Sequence, residues 1–479
     1  MTDNPNPDPS TLPETECVPS SSLAMQESSG FVVMWAPGDE GLLGGWLPLS
    51  TEPRILGRGA ALASDPVPRV QAIRQSPGSN TLLAPFSSPA LSRVQLELRQ
   101  LEGDRIALRN LGRCPLSVND VPCQEATVSP GDVVQIGNQL LLLCARRTAR
   151  LFGTIGTHQP FGEPDQHGFV GESPAMWQLR HELEFVGSRA GHVLIHGESG
   201  TGKELAANAV HRASKRSGAL VSRNAATFPD TLIDAELFGS AKNFPNVGMS
   251  ERAGLIGAAH GGTLFLDEFA ELPLAQQTRL LRVLDAGEYQ RLGESGLRQS
   301  DVRVVAATNR PLSDLRHDVA ARFSFIVRTP SLAAHVEDIP LIVQHSLKQL
   351  AQGDAELRAR FFDARGEPRL GAGLLLGLLR GPAVGNVRSL RNTLWRSLAE
   401  SSGDTLQWPT RTPSERAPQK PDSARPVQED DSERARIRQV LDKNQGSVDK
   451  TWRELGLSSR FALNRLLKKH GITVRRSSS

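Results

Sequence analysis

Two groups of residues in this chain have the types and spacing to handle phosphate. In Gly197-Glu-Ser-Gly-Thr-Gly-Lys203 the glycines stand where a backbone must curl for consecutive N–H groups to face anionic oxygens, and Lys203 adds a point charge. About sixty residues on, Thr263-Leu-Phe-Leu-Asp-Glu268 ends an apolar run in two acids. At the end of a buried strand such an aspartate would orient hydrated magnesium, and its neighbouring glutamate would polarise water for attack on a γ-phosphate. Each group alone also reads blandly, as a turn before a helix or a pair of surface acids. Together they point to nucleoside triphosphate chemistry.

For these groups to meet, strands must deliver them to one edge. Val193-Leu-Ile-His196 leads into the glycine loop, Thr263-Leu-Phe-Leu266 into the acids and Val302-Arg-Val-Val-Ala306 into Thr-Asn, with helical patterns between them. From residue 165 to 401 that rhythm predicts a parallel α/β sheet with its chemistry at strand C-termini. Ahead of it, 31–147 alternates short apolar runs such as Val94-Gln-Leu-Glu-Leu98 with Gly, Pro and Asn turns, the pattern of an all-β sandwich. Residues 1–30 and 402–432 are rich in Pro, Ser and charge without periodicity and are expected to be a tail and a linker. A compact helical piece, 433–479, follows.

The composition sets bounds. A chain of 479 residues with 38% hydrophobic and 22% charged residues suits about three soluble domains. Its richest apolar run, Leu370 to Leu379, is broken by glycines and closed by Arg380, far short of the roughly 20 residues a membrane span requires. The first basic residue is Arg54, so no positively charged secretory signal opens the chain, and the cytoplasm is the expected location. Cys17, Cys114, Cys123 and Cys144 lack metal-site spacing and are expected to be reduced structural thiols. Residues 433–479 hold twelve Lys plus Arg against four Asp plus Glu, an excess that suits a polyanion.

After Lys203 comes Glu204, where a hydroxyl ligand for magnesium is usual. Together with Gly197 to Glu204, the strings Glu236-Leu-Phe-Gly239, Gly261-Gly-Thr-Leu-Phe-Leu-Asp-Glu268, Leu280-Leu-Arg-Val-Leu284 and Ala307-Thr-Asn-Arg310 closely resemble the AAA+ domain of sigma-54-dependent transcriptional activators, the bacterial enhancer-binding proteins. The resemblance covers about 165 to 400. It implies that Gly197, Glu198, Ser199, Gly200, Thr201, Gly202, Lys203 and Glu204 hold ATP and that Asp267 binds Mg2+ beside the catalytic Glu268. It further implies Asn224 as the switch restraining Glu268, Thr308 and Asn309 as the first sensor, and Arg388 in Gly385-Asn-Val-Arg388 as the second. Arg316 and Arg322 match the pair that family members insert into a neighbour's nucleotide. A charge delivered in trans requires a homo-oligomer, expected to be a ring.

Lys242-Asn-Phe-Pro-Asn-Val-Gly248 stands where family members carry a loop reading roughly Gly-Ala-Phe-Thr-Gly-Ala, which touches the sigma factor. Proline restricts this backbone, and the motif's Thr and adjacent glycine are absent. The C-terminal piece reads as helix, glycine-containing turn and basic helix, and in Glu454-Leu-Gly456 and Lys468-Lys-His-Gly-Ile472 it resembles the activators' Fis-type helix-turn-helix. Position on the last helix assigns Ser459, Arg460, Asn464 and Arg465 to base edges and Lys468 and Lys469 to phosphates of double-stranded DNA. At the other end Ile55-Leu-Gly-Arg58, Ser92-Arg93, Leu108-Arg-Asn-Leu-Gly112, Asn119 and Pro130 to Gly137 resemble a forkhead-associated (FHA) domain, which reads phosphothreonine. Arg58, Ser92, Arg93 and Asn119 are its candidate ligand residues. Gln95 replaces the family's usual His, and Arg113-Cys-Pro115 its usual Ser/Thr-Asn-Gly region.

The reading is thus a multidomain regulator: an FHA-like sandwich that takes a signal, an ATPase that assembles and works on RNA polymerase with sigma-54, and a DNA-binding tail. The altered loop keeps open a sigma-54-independent regulator that uses ATP only to assemble. A phosphoprotein-binding adaptor with a lapsed ATPase is the third reading.

Overall fold

The computed structural model describes residues 27–409 apart from 64, 149–150, 152–159, 230 and 382–384, with isolated positions between 439 and 455. Residues 410–432 of the expected linker, nearly all of the basic tail and every DNA-contact candidate, Ser459 to Lys469, lie outside the described residues, whereas 402–409 are not linker: Leu406 is fully buried and its N–H donates to Arg369 O at 2.9 Å. The described residues through 409 belong to one compact unit. No described helix is long and apolar enough to cross a membrane.

The N-terminal region is a sandwich of two antiparallel sheets. Its first strand, β1 (Glu27–Trp35), starts four residues before the expected boundary because Glu27 to Gly30 pair with Ala145 to Thr148. An eight-stranded sheet runs Ser79–Leu82, Ile73–Ser76, Trp46–Pro48, β1, β3 (Leu140–Thr148), β2 (Val133–Ile136), Leu116–Val118 and Val121–Cys123. The facing sheet orders Glu125–Val128, Ile106–Asn110, Leu96–Gln100 and Arg54–Leu56. Alternation sends Leu96, Leu98, Ile106 and Leu108 inward to meet Phe31, Val33, Leu140 and Leu142. Cys114, Cys123 and Cys144 are unbridged. Burial, aided by the Asp132 charge, pushes the Cys144 thiol up to about 12, so it behaves as a small apolar side chain.

The α/β region carries a five-stranded parallel sheet ordered β5 (Leu220–Asn224), β6 (Thr263–Asp267), β7 (Arg303–Thr308), β4 (His192–His196) and β8 (Phe323–Arg328). Both faces are covered, as parallel sheets require. Leu264, Leu266, Val304 and Ala306 pack on one side, and Phe265, Val305, Ala307 and Ile195 on the other. Two helices flank the site's loops. α1 (Pro174–Gly187) is capped by Ser173, whose side chain accepts from Met176 N, and α2 (Lys203–Ala213) starts at the lysine of the glycine loop. Four helices then form a lid: α3 (Ile339–Leu350), the short Ala355–Phe361, α4 (Ala372–Arg380) and α5 (Asn386–Glu400).

The sandwich rests on that lid. Val32 and Met34 of β1, Val133 of β2 and Leu141 and Leu143 of β3 point away from the sandwich core into one cluster with Ile342, Val343, Leu347, Phe361, Leu374 and Leu394. Burying each such side chain is worth about 1.5–3 kcal/mol. Trp35 donates its indole N–H to Leu370 O at 2.7 Å, Arg380 of the lid pairs with Asp120 of the sandwich, and Arg147 of β3 reaches Glu337 at 3.0 Å.

Candidate functional site

Parallel pairing brings the separate motifs to one sheet edge. Asn224 stands opposite Asp267 in the β5–β6 register and His196 opposite Thr308 in the β4–β7 register, so the chain leaves β4 into the glycine loop beside the end of β7, with the end of β6 one strand further on. Gly197 N donates to Thr308 O at 3.2 Å, tying the loop to the end of β7.

The loop is shaped by what crowds it. A Cβ on Gly197 would lie 2.0 Å from Thr329 Oγ1, and one on Gly200, held at φ 82°, would lie 2.5 Å from Gly385 O. Only glycine fits at either position. Thr201 Oγ1 donates to Glu198 O at 2.9 Å and shares a 2.7 Å hydrogen bond with Thr329 Oγ1. Gly202 caps α2, and Lys203, 7% exposed, donates its ammonium protons to Gly197 O and Glu198 O at 3.1 and 3.2 Å. A buried ammonium beside curled amides is a cradle for phosphate oxygens. Glu204 is exposed on the first turn of α2.

The lid closes on this loop. Arg388 donates to Ser199 Oγ at 3.0 Å, and buried Asn386 donates to Glu198 Oε2 at 2.9 Å and Ser199 O at 3.1 Å while accepting from Leu332 N at 2.7 Å. Asn386 was invisible as a site residue in sequence, although it sits inside the string Gly385 to Arg388. Its signal, a polar residue two positions before Arg388, has meaning only once the lid meets the loop.

The acids sit at the sheet edge, half-buried. Glu268 is left-handed at φ 49° and donates its N–H to Asp267 Oδ1 at 2.9 Å, a strained backbone for a non-glycine residue. Asn224, one register position from Glu268, gives its Oδ1 to Ala226 N at 2.8 Å. Thr308 is fully buried and accepts from Arg310 N, and Arg310 pairs with Glu271 at 2.6 Å. Asn309 is exposed beside it. Arg316 and Arg322 are not gathered with these residues: they are exposed and held by Asp318 at 2.7 Å and Asp285 at 2.6 Å. Surface pairs of this kind contribute little to stability, because water screens them, and exchange readily for a better anion.

Two other regions are placed by the structure. The segment Lys242 to Gly248 is an exposed loop, tightened by Gly248 N donating to Asn243 Oδ1 at 2.9 Å, that presents Val247 at 94% exposure with Phe244 and Met249 beside it. On the sandwich, Arg58 N donates to Ser92 O, Arg113 N to Ser92 Oγ, and Arg69 Nη1 to both Arg58 O and Arg93 O. Arg69 thus ties the candidate phosphate loops together, a role sequence reading missed. Gln95 is buried as a scaffold, donating to Asn110 Oδ1 and Cys114 O. Asn119 is committed to Asp132 and to Val133 N.

The family model for the sigma-54 interaction domain matches residues 169–330. The transcriptional regulatory protein ZraR of Salmonella typhimurium is 33% identical over 328 residues, 65% of this chain and 71% of that protein. The chain belongs to the sigma-54-interaction family of regulators. This regulator is also 40% identical over 263 residues to the anaerobic nitric oxide reductase transcription regulator NorR of Escherichia coli, spanning 52% of the chain and about half (50%) of NorR. Among solved structures, NtrX of Brucella abortus in complex with ADP is 32% identical, with 64% of this chain and 70% of that one covered at a TM-score of 0.47.

The geometry assigns separable effects to two residues. In Glu268→Gln the cradle is untouched, so the regulator is expected to retain ATP affinity while magnesium-dependent turnover falls about 10²–10⁴-fold. Lys203→Met is expected to lose binding itself by about 10- to 100-fold, the worth of a charge-assisted hydrogen bond. Fluorescent-analogue titration and phosphate release at high protein concentration check both, and full turnover in Glu268→Gln would remove that residue from the chemistry.

Proposed function

We propose that the regulator is an ATP-driven transcription factor that assembles through its AAA+ region, hydrolyses ATP between neighbouring subunits and acts on RNA polymerase carrying sigma-54. The observation that carries this reading is the convergence of Gly197–Lys203, Asp267, Glu268, Asn224 and Thr308 on one sheet edge, closed by Asn386 and Arg388 from the lid. Lys203 and the loop amides bind the phosphates, Glu268 orients and deprotonates the attacking water, and Arg388 senses occupancy from the lid. Asp267 is the residue to hold magnesium, which when bound would neutralise phosphate charge. Arg316 and Arg322, on the outer surface and weakly held, are free to exchange their aspartates for a neighbour's nucleotide. Hydrolysis then belongs to a homo-oligomer and serves remodelling of a partner.

The loop Lys242 to Gly248 supports a second reading, in which nucleotide governs assembly without contact to sigma-54. Its exposed Phe244 and Val247, with Met249 just beyond, retain an apolar tip, but Pro245 restricts the backbone where family members carry Thr-Gly. Capture of purified sigma-54 by protein trapped with a transition-state analogue decides between the two. Binding by the native chain supports contact, whereas binding only after the family loop is restored assigns the loss to this segment.

The two ends extend the proposal. The excess of eight positive charges in 433–479 supports duplex DNA as the tail's ligand, and the Arg58, Ser92, Arg93 and Arg69 cluster supports phosphothreonine as the sandwich's. Truncation at 432 is expected to abolish salt-dependent affinity for duplex DNA, and Arg58→Ala with Arg93→Ala to abolish retention of phosphothreonine peptides. Unchanged binding after either change would remove the corresponding ligand.

A further inference from the structure

The lid contact made by the sandwich lies at the far end of the short segment that also serves the phosphate loop. This segment, Leu332–Asp338, joins the parallel sheet to α3 and is kinked at His335, with φ −142° and ψ 47°. At its start Leu332 N donates to Asn386 Oδ1, and the Asn386 amide in turn holds Glu198 and Ser199. At its end Asp338, 1% exposed, accepts from Glu172 N at 2.7 Å and Ser173 N at 3.0 Å and pairs with His335 at 3.1 Å, anchoring the segment to the start of α1.

Next to that anchor, Arg147 comes in from β3. It is 2% exposed, its guanidinium lies 5.4 Å from the Trp46 ring, and its Nε donates to Glu337 Oε2 at 3.0 Å. A buried charge with one acidic partner among the described residues is positionally strict, since losing that partner leaves the other ion uncompensated. The sandwich therefore does not merely cover the lid. It supplies the countercharge for the residue adjoining the segment's anchor.

We propose that Arg147 is a positioning residue for the nucleotide site, acting through Glu337 and the segment Leu332–Asp338 on Asn386, so that sandwich docking and ATP binding favour each other. The proposal rests on the nucleotide reading of Gly197–Lys203. Two sites, the sandwich face and the phosphate loop, bias one element held at both ends, and the coupling must run equally in both directions. Any event on the sandwich that pulls β3 from the lid would loosen the hold of Asn386 on Glu198 and Ser199. In reverse, ATP in the cradle would tighten the sandwich against α3 and α4.

The test uses the full chain. ATP affinity is measured with a fluorescent analogue for the native protein, Arg147→Met and the near-isosteric Glu337→Gln, each checked for a native thermal unfolding transition. Both variants are expected to bind about 5- to 100-fold more weakly. Amide exchange of 140–148 is expected to slow on adding ATP in the native chain and to be indifferent to ATP in Glu337→Gln, a response that a purely structural salt bridge would not give. If both variants fold and bind ATP as tightly as the native chain, the proposal is overturned. Should the variants not fold, exchange in the native chain decides, and strands that ignore ATP overturn it equally. A native chain that binds no ATP would instead remove the nucleotide reading and this coupling together.

Discussion

Parallel pairing in the five-stranded sheet is the constraint on which the rest of the molecule depends. Side chains along a strand alternate faces, so a slip of one residue between β5 and β6 would move Asn224 away from Asp267 and turn the packing residues of β6 to the wrong side. Because Leu264 and Leu266 pack on one face and Phe265 on the other, the register is fixed by apolar burial on both sides. The polar ends of the strands carry little of that energy. They are positioned by a core built from their neighbours, which lets Glu268 persist in a strained backbone conformation.

Around this fixed edge, the lid and the sandwich form one continuous polar and apolar structure. Burial pushes the Glu337 carboxyl above its ordinary range, with Arg147 opposing, whereas burial at Asp338 is outweighed by the hydrogen bonds from His335, Ser173 and Glu172, which hold it below the usual carboxylate range. The two adjacent acids therefore meet burial differently: one has a dense donor set and the other leans on a cation brought by a different domain. The lid's Asn386 uses its amide in both senses, accepting from the connecting segment and donating to the phosphate loop.

Much of this was legible in the amino-acid order. The strands ending in His196, Asp267 and Thr308 announce themselves because apolar runs bounded by glycine and acids have few other uses, and the glycine spacing before Lys203 encodes a backbone path. The sandwich strand Val133–Ile136 likewise reads directly from alternation and turns. Less legible was the double burial of β1 and β3. Phe31-Val-Val-Met34 and Leu140-Leu-Leu-Leu143 are continuous apolar runs, in an antiparallel sheet a sign that both faces are covered, but the sequence does not name the covering surface.

By itself, the sequence determined the chemistry available at the sheet edge: curled amides, one lysine, two acids and a strand ending in Thr308, because these depend on residue type and local spacing. Only the tertiary structure decided which groups act together across distance. The grip of Asn386 and Arg388 on Glu198 and Ser199, the gathering of Arg58 and Arg93 by Arg69, and the meeting of Arg147 with Glu337 join residues separated by up to 190 positions. No local pattern encodes such contacts. They exist because two apolar surfaces, each unable to remain in water, found each other and carried their polar neighbours into hydrogen-bonding range.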